Sequence, residues 1–141
     1  MKIKQLSIFL ENKSGRLSEV TETLASAQIN ISAFSVADTA DYGILRMIVS
    51  KPEQAEQLLK AKGLSVHITE VIGIVVPNEP GGLHRALQIL SSEGISVEYM
   101  YAFALSDRAT VIIRTEAVEL TISAFQKHKM ELVKANDIYE V

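Results

Sequence analysis

The chain has 141 residues, of which 48% are hydrophobic and 22% charged, and this balance excludes a mostly disordered protein. Its 14 basic and 17 acidic residues give a net charge of −3 without a basic block, so a nucleic-acid partner is not expected. Because there is no cysteine, disulfides, thiolate nucleophiles and cysteine metal sites are also excluded.

An internal repeat organises the sequence. A shift of 66 residues aligns positions 8–31 with positions 74–97 without a gap, and seven of the 24 pairs are identical. Ordinary composition gives roughly one or two identities over this length. The identical residues of the first copy are Ile8, Asn12, Gly15, Leu17, Leu24, Ser26 and Ile29. Since turn residues and apolar positions both match, we interpret the repeat as a duplication.

The elements of the first copy follow from changes in apolar periodicity. Leu6, Ile8 and Leu10 alternate with more polar residues, which predicts a strand with one buried face. Turn and cap residues 12–15 precede a helix, whose apolar face is predicted as Leu17, Val20 and Leu24. A second strand is predicted over 30–36, a turn over 38–43 and a third strand over 44–49. Ser50 to Glu53 resembles a capping box that opens a second helix, Gly63 ends that helix, and a fourth strand follows at 66–69.

The second copy repeats this order. Strands are predicted at 71–76, 97–105 and 110–114, helices after Gly82 and around Val118 to Phe125, and a final strand near Ile138 to Val141. The order βαββαβ predicts an α+β fold of two ferredoxin-like units, each with an antiparallel sheet and its helices on one face. We place the domains at 1–69 and 70–141.

The loop between the first strand and first helix of each copy is the candidate binding segment. It reads Asn12-Lys13-Ser14-Gly15-Arg16-Leu17 in the first copy and Asn78-Glu79-Pro80-Gly81-Gly82-Leu83 in the second. Free amides at a helix N-terminus attract a carboxylate or phosphate, and glycine allows a ligand to approach the backbone. A purely local role, in which Asn and Gly turn the chain and cap the helix, is the alternative.

These segments resemble the ACT domain, a small-molecule sensing module of amino-acid metabolism. The family signature is a strand, Asp or Asn, any residue, Pro-Gly, any residue, Leu, a helix, and a second strand similar to Ile-Asn-Ile. The second copy has Asn78, Pro80, Gly81 and Leu83, and the first has Asn12, Gly15, Leu17 and Ile29-Asn30-Ile31. The resemblance covers nearly the whole chain, which looks like the stand-alone tandem ACT proteins found in bacteria.

The resemblance implies a set of ligand-binding residues. In serine-binding members the ligand lies between two ACT units, where the loop Asn of one unit and the second-strand Asn of the other contact it. These roles fall on Asn12 and Asn30 in the first copy and on Asn78 and Ser96 in the second. The neighbouring loop positions Ser14, Gly15, Arg16, Leu17, Pro80, Gly81, Gly82 and Leu83 complete the predicted site. Ser14 replaces the usual Pro, while Leu10 and Val76 replace a His of serine binders, which favours an amino acid with an apolar side chain.

The sequence therefore predicts a non-catalytic sensor that binds a free amino acid at the interface between the repeats and regulates a partner enzyme of amino-acid metabolism. No cofactor, metal site or catalytic residue is predicted, because neither a general acid and base pair nor a metal-ligand spacing can be assigned. The alternative is a structural or regulatory subunit that binds an enzyme through its exposed sheet face without a small ligand.

Other features set expectations for partners and location. Tyr99, Tyr101 and Phe103 alternate on one strand face, and without a basic patch they favour sheet or subunit packing over RNA, which predicts a homodimer. No signal-like or membrane-spanning apolar stretch is present, so we expect a cytoplasmic protein without a membrane partner.

Overall fold

The computed structural model describes residues 1–11, 13–38 and 41–140. The elements in chain order are β1 (Lys2–Glu11), α1 (Arg16–Ser26), β2 (Ile31–Asp38), β3 (Tyr42–Val49), α2 (Pro52–Ala61), β4 (Ser65–Pro77), α3 (Gly82–Ser92), β5 (Tyr99–Leu105), β6 (Arg108–Arg114), α4 (Val118–Lys127), β7 (Glu131–Leu132) and α5 (Ala135–Tyr139). Each half of the chain thus contains the predicted βαββαβ order, and the fold is α+β with antiparallel strand pairs.

The chain divides into two compact units, and each includes a short segment from the far end of the chain. The N-terminal unit consists of Lys4–Thr69 with Asn136–Val141, and the C-terminal unit consists of Glu70–Ala135 with Met1–Ile3. Each end of the chain therefore groups with the unit that the other half of the chain forms. The ends are held there by specific contacts: Lys2 forms ion pairs with Glu70 and Glu119, and the backbone amide of Lys4 donates to the Tyr139 hydroxyl at 2.6 Å.

The N-terminal unit has a sheet in the order β2-β3-β1-β4. Leu6 lies opposite Met47 and Ile8 opposite Leu45, so the alternating side chains of β1 and β3 share one face. This face packs against α1 and α2 through buried side chains that include Val20 and Leu59. The predicted alternation of Leu6, Ile8 and Leu10 is confirmed, since all three are buried.

The C-terminal unit repeats this arrangement with the order β5-β6-β4-β7. Its helix-side face pairs Ile72 with Ile113 and Ile74 with Val111, and these residues pack with the buried Phe125 of α4. We call the opposite face of each sheet its open face. In the C-terminal unit the open face has Tyr101 opposite Ile112 and Phe103 opposite Thr110.

The predicted final strand near Ile138 to Val141 is wrong, and Val141 itself lies outside the described residues. The fourth strand of this unit is the two-residue β7, which pairs Leu132 with Ile74 and Glu131 with Val75. Residues 135–139 instead form α5, in which Ile138 is buried. The apolar residues of this segment pack α5 against the N-terminal unit. In so short a segment, their spacing cannot be distinguished from the alternation of a strand.

One predicted helix start is corrected, and the other is confirmed within the predicted cap segment 12–15. The N-cap of α2 is Lys51, because the Ser50 hydroxyl accepts a hydrogen bond from the Asn30 amide and does not complete a capping box. Pro52 does occupy the first turn, as predicted. The N-cap of α1 is Gly15 without a side-chain cap, and Asn12 lies outside the described residues.

Other boundaries follow the sequence closely, with one exception in the helical faces. Gly63 has a φ of 83° just after α2, as expected for a residue that ends a helix. Leu17 and Leu83, predicted on apolar helix faces, are 43% and 37% exposed, because both lie at the first turn beside the loop. Within the predicted turn 38–43, residues 39 and 40 lie outside the described part of the chain. No helix among the described residues is long and apolar enough to span a membrane.

Candidate functional site

At the described positions, the two loops that the repeat predicts have matching backbone structures. Gly15 has φ 87° and ψ −12°, and Gly81 has φ 90° and ψ −11°, so each precedes its helix in a left-handed conformation. The hydrogen bonds correspond one to one: Lys13 N to Glu11 O matches Glu79 N to Pro77 O, and Glu19 N to Gly15 O matches Arg85 N to Gly81 O. The duplication therefore extends to the geometry of the candidate site.

In each loop, two backbone amides of the first helical turn have no hydrogen-bond acceptor among the described residues, and we call these the open amides. The Gly82 amide donates to Glu79 O at 3.1 Å and the Arg16 amide to Lys13 O at 3.3 Å, so these first-turn donors are used within the loop. The amides of Leu83 and His84, and the matching amides of Leu17 and Ser18, have no acceptor among the described residues. The donors available to the predicted carboxylate or phosphate therefore lie just inside each helix, after Arg16 and Gly82.

The second loop is more tightly closed than the first. A Cβ at Gly82 would lie 2.2 Å from the Pro77 carbonyl oxygen, which is far inside van der Waals contact. The matching residue of the first loop is Arg16, which carries a full side chain. The two loops thus share the conformation of Gly15 and Gly81, but they differ in the space for a side chain at the next residue.

Asn78 is committed to the fold of the second loop. Its side-chain Nδ2 donates to Ser106 O at 2.9 Å, and its backbone amide donates to Asp107 O at 2.8 Å. Both contacts join the loop to the turn between β5 and β6, where Ser106 has a φ of 60°. Neither contact uses the side-chain oxygen of Asn78, which can accept a hydrogen bond.

The predicted site residues do not all lie together within one unit. The glycine loop of the N-terminal unit follows β1 at the end where Leu10 pairs with Gly43, whereas Asn30 precedes β2 at the end where Ile31 pairs with Val49. Six strand residues separate these ends, which corresponds to roughly 20 Å. In the C-terminal unit Asn78 and Ser96 are likewise at opposite ends, because Pro77 pairs with Arg108 and Tyr99 with Arg114.

The predicted loop side chains are accessible, with one exception. Exposed positions include Ser14, Gly15, Leu17, Asn78, Pro80, Gly81 and Leu83, as well as Asn30 and Ser96 at the other sheet ends, and Arg16 is partly buried. Gly82 is buried. Leu10 and Val76, which occupy the positions of a His in serine-binding relatives, are 6% and 3% exposed and belong to the cores.

The charges differ between the loops. In the first loop the Lys13 ammonium lies 2.8 Å from the Glu11 carboxylate, and Arg16 lies 3.2 Å from Glu19. The hydrogen bond from Lys13, assisted by the charges of Lys13 and Arg16, holds the pKa of Glu11 below its ordinary value. The second loop has Glu79 and Pro80 in place of Lys13 and Ser14. The first loop is therefore richer in positive charge.

The described residues contain no cluster of three or more His, Asp or Glu side chains able to hold a metal ion. The turn at Ser106 and Asp107 was not singled out from the sequence. The pairing of β4 with β6, which joins distant parts of the chain and places Pro77 opposite Arg108, brings this turn to Asn78.

Comparison with known proteins identifies the family. The model of the ACT domain pair matches residues 1–141. Protein BT0572 from Bacteroides thetaiotaomicron is 50% identical in sequence, with a TM-score of 0.96 over 100% of this chain and 98% of that chain. No curated protein matches the sequence.

More distant structures show the same fold. The ligand-free regulatory subunit of aspartate kinase from Thermus thermophilus is 19% identical, with a TM-score of 0.66 over 88% of this chain and 91% of that chain. The regulatory subunit of aspartate kinase from Thermus flavus is 16% identical, with a TM-score of 0.60 over 89% of this chain and 92% of that chain. With the repeated βαββαβ order and the two equivalent glycine loops, the family match shows that this chain belongs to the ACT domain family as an ACT domain pair.

Proposed function

We propose that this protein is a non-catalytic regulatory sensor that binds a free amino acid at one or both glycine loops. The observation that carries the proposal is the duplicated loop geometry, in which Gly15 and Gly81 share one left-handed conformation beside open helix amides. Structural similarity to regulatory subunits of aspartate kinase supports an amino acid as the ligand and an enzyme of amino-acid metabolism as the partner.

The chemistry of the second loop fits the common part of an amino acid. The Leu83 and His84 amides point from the start of α3 and favour a carboxylate through hydrogen bonds and the helix dipole. The Asn78 oxygen can accept a hydrogen bond from the ammonium group, since the Asn78 Nδ2 already donates to Ser106 O. The exposed Leu83 side chain offers an apolar surface, which favours an apolar ligand side chain.

The first loop supports the same proposal with different neighbours. Its open amides belong to Leu17 and Ser18, the Leu17 side chain is 43% exposed, and Arg16 adds a positive charge beside the carboxylate position. Asn12, Asn30 and Ser96 complete the proposed set through the family resemblance. Ligand binding is expected to favour one of two conformations of the protein. A partner enzyme would bind these two conformations with different affinities.

A thermal-shift screen against the twenty standard amino acids tests the proposal. A ligand at 100 times its dissociation constant adds about 2.7 kcal/mol to the native state, which gives a clear shift in Tm. We expect a shift with one chemical group of amino acids. The matching amine without the carboxylate should give none, because the helix amides lose their acceptor. A flat screen at millimolar concentrations contradicts the proposal.

The open face of the C-terminal unit supports a second candidate function, that of a subunit that binds a partner without a small ligand. Phe103 is 44% exposed and Leu105 is 81% exposed on the same face as Tyr101. This face is also the proposed contact of a homodimer. Tyr101→Asp should then change the association state in analytical ultracentrifugation, whereas Asn78→Asp should not. A flat amino-acid screen together with an effect of Tyr101→Asp favours this second function.

A further inference from the structure

The C-terminal helix α5 is ordered by docking and not by its own length. It has five residues, which is too short for a helix to persist unaided in water. Three features hold it on the N-terminal unit. Ile138 is 4% exposed, Ser32 Oγ donates to Ile138 O at 2.6 Å, and the Lys4 amide donates to the Tyr139 hydroxyl at 2.6 Å.

These anchors lie at one end of the open face of the N-terminal unit. At that end Gln5, Ala33 and Ile48 are 0%, 7% and 0% exposed, although they lie on the sheet face opposite the one that packs against α1 and α2. At the opposite end of the same face Phe9 is 48% exposed. Because the anchoring residues Lys4 and Ser32 lie next to the buried group in sequence, we infer that α5 covers this end.

The docking point of α5 lies at an irregularity of the sheet. The register of β2 against β3 shifts between Ile31 and Ala33, which places Ser32 in a β-bulge. Two residues before Ser32, Asn30 is joined to the end of β3, since its amide donates to Ser50 Oγ at 3.0 Å and its carbonyl accepts from the Ser50 amide at 2.9 Å. A continuous path thus runs from Ser50 and Asn30 through the bulge to α5.

We propose that α5 is a detachable clip whose docking is coupled to the Asn30 end of β2. One buried side chain and two hydrogen bonds are all that offset the entropy cost of ordering the tail, so α5 opens locally while the rest of the N-terminal unit stays folded. A change at Asn30 moves the bulge and alters the hold of Ser32 on Ile138. That an amino acid causes this change rests on the proposed function; the coupling itself does not.

Hydrogen exchange of the full chain, followed by mass spectrometry, tests the clip. The tail after Lys134 should exchange faster than the β3 segment Tyr42–Val49. Ile138→Ala should accelerate exchange of the tail at least about tenfold, since truncating a buried isoleucine costs more than a factor of ten in an equilibrium. The β3 segment should keep its rate. Glu140→Ala, on an exposed position of the same tail, is the matched control and should change neither segment.

A milder variant keeps the test decisive if Ile138→Ala disturbs folding. Ser32→Ala removes only the hydroxyl contact to Ile138 and should accelerate tail exchange about two- to tenfold. If the tail exchanges at the rate of β3 in the wild type and in both variants, α5 is an integral part of the unit and the clip is overturned.

The coupling is tested without any ligand. Ser50→Ala removes the hydroxyl that holds the Asn30 amide and should accelerate tail exchange about two- to fivefold. Ser65→Ala, an exposed serine at the start of β4, is its control. An unchanged tail in Ser50→Ala overturns the coupling, whatever the amino-acid screen shows.

Discussion

Gly15 and Gly81 lie 66 residues apart and have the same left-handed conformation, with φ values of 87° and 90°. Apart from the chain neighbours, no heavy atom of the described residues lies within 4 Å of a Cβ built on either glycine, so space does not demand glycine at these positions. The backbone conformation does, because L side chains rarely adopt a positive φ. The shared conformation is what directs the chain from strand to helix and leaves the helix amides open.

Gly15→Ala and Gly81→Ala should therefore each destabilise the protein by about 1–2 kcal/mol, through backbone strain alone. Urea denaturation measures the change. Asn tolerates the left-handed region, so Gly81→Asn should lose clearly less stability than Gly81→Ala. Equal losses for Ala and Asn would show that strain at φ is not the cause.

Substitution by alanine should cost more stability at Gly82 than at Arg16. A Cβ at Gly82 meets the Pro77 carbonyl at 2.2 Å, and Gly82→Ala should cost about 1–3 kcal/mol because the backbone must move. Arg16→Ala keeps a Cβ that the first loop already accepts. It also removes an exposed ion pair with Glu19, which is worth about 0–1 kcal/mol. If Gly82→Ala leaves the free energy of unfolding in urea unchanged, the proposed difference in space between the two loops is contradicted.

The sequence predicted the repeat-encoded part of the fold well, because local periodicity and turn residues determine it. Strand β1 with Leu6 and Ile8, and helix α3 with Ala86 and Leu90, lie where the patterns put them. The prediction failed where distant contacts decide. Ser50 binds Asn30 instead of capping α2, and Ile138 docks in a helix instead of a strand.

The candidate site was predictable in its loops and not in its hydrogen-bond partners. Repetition of the Asn and Gly residues identified both loops, but the use of the Asn78 amide by Ser106 depends on a hairpin that no local pattern connects to it. The same limit applies to the donors. Which amides stay open follows from the bond between Gly82 and Glu79, and this bond is visible only in three dimensions.

Asn78→Asp separates the structural role of Asn78 from its binding role. The variant loses the Nδ2 donor to Ser106 O and should cost about 0.5–1.5 kcal/mol in urea denaturation. It keeps an acceptor for an ammonium group, so any amino acid found by thermal shift should still bind. Asn78→Ala loses both and should abolish binding at this loop, as should the combined Asn12→Ala and Asn78→Ala chain at both loops. Retained affinity in the double variant would remove these residues from the site.

The ion pair between Lys4 and Glu53 should make the N-terminal unit sensitive to acid. The hydrogen bond from the Lys4 ammonium, with a backbone hydrogen bond at the start of α2, lowers the pKa of Glu53 below its ordinary 4.5. A carboxylate with a lowered folded-state pKa stabilises the protein above its unfolded value and loses that contribution as the pH falls through the folded value. Stability should thus decrease below about pH 4.5, by a small amount because both side chains are exposed. Glu53→Gln should flatten this part of the curve of urea midpoint against pH, whereas Glu22→Gln, on an exposed position of α1, should leave it unchanged. If both variants follow the wild-type curve, the pair with Lys4 contributes nothing to the acid response.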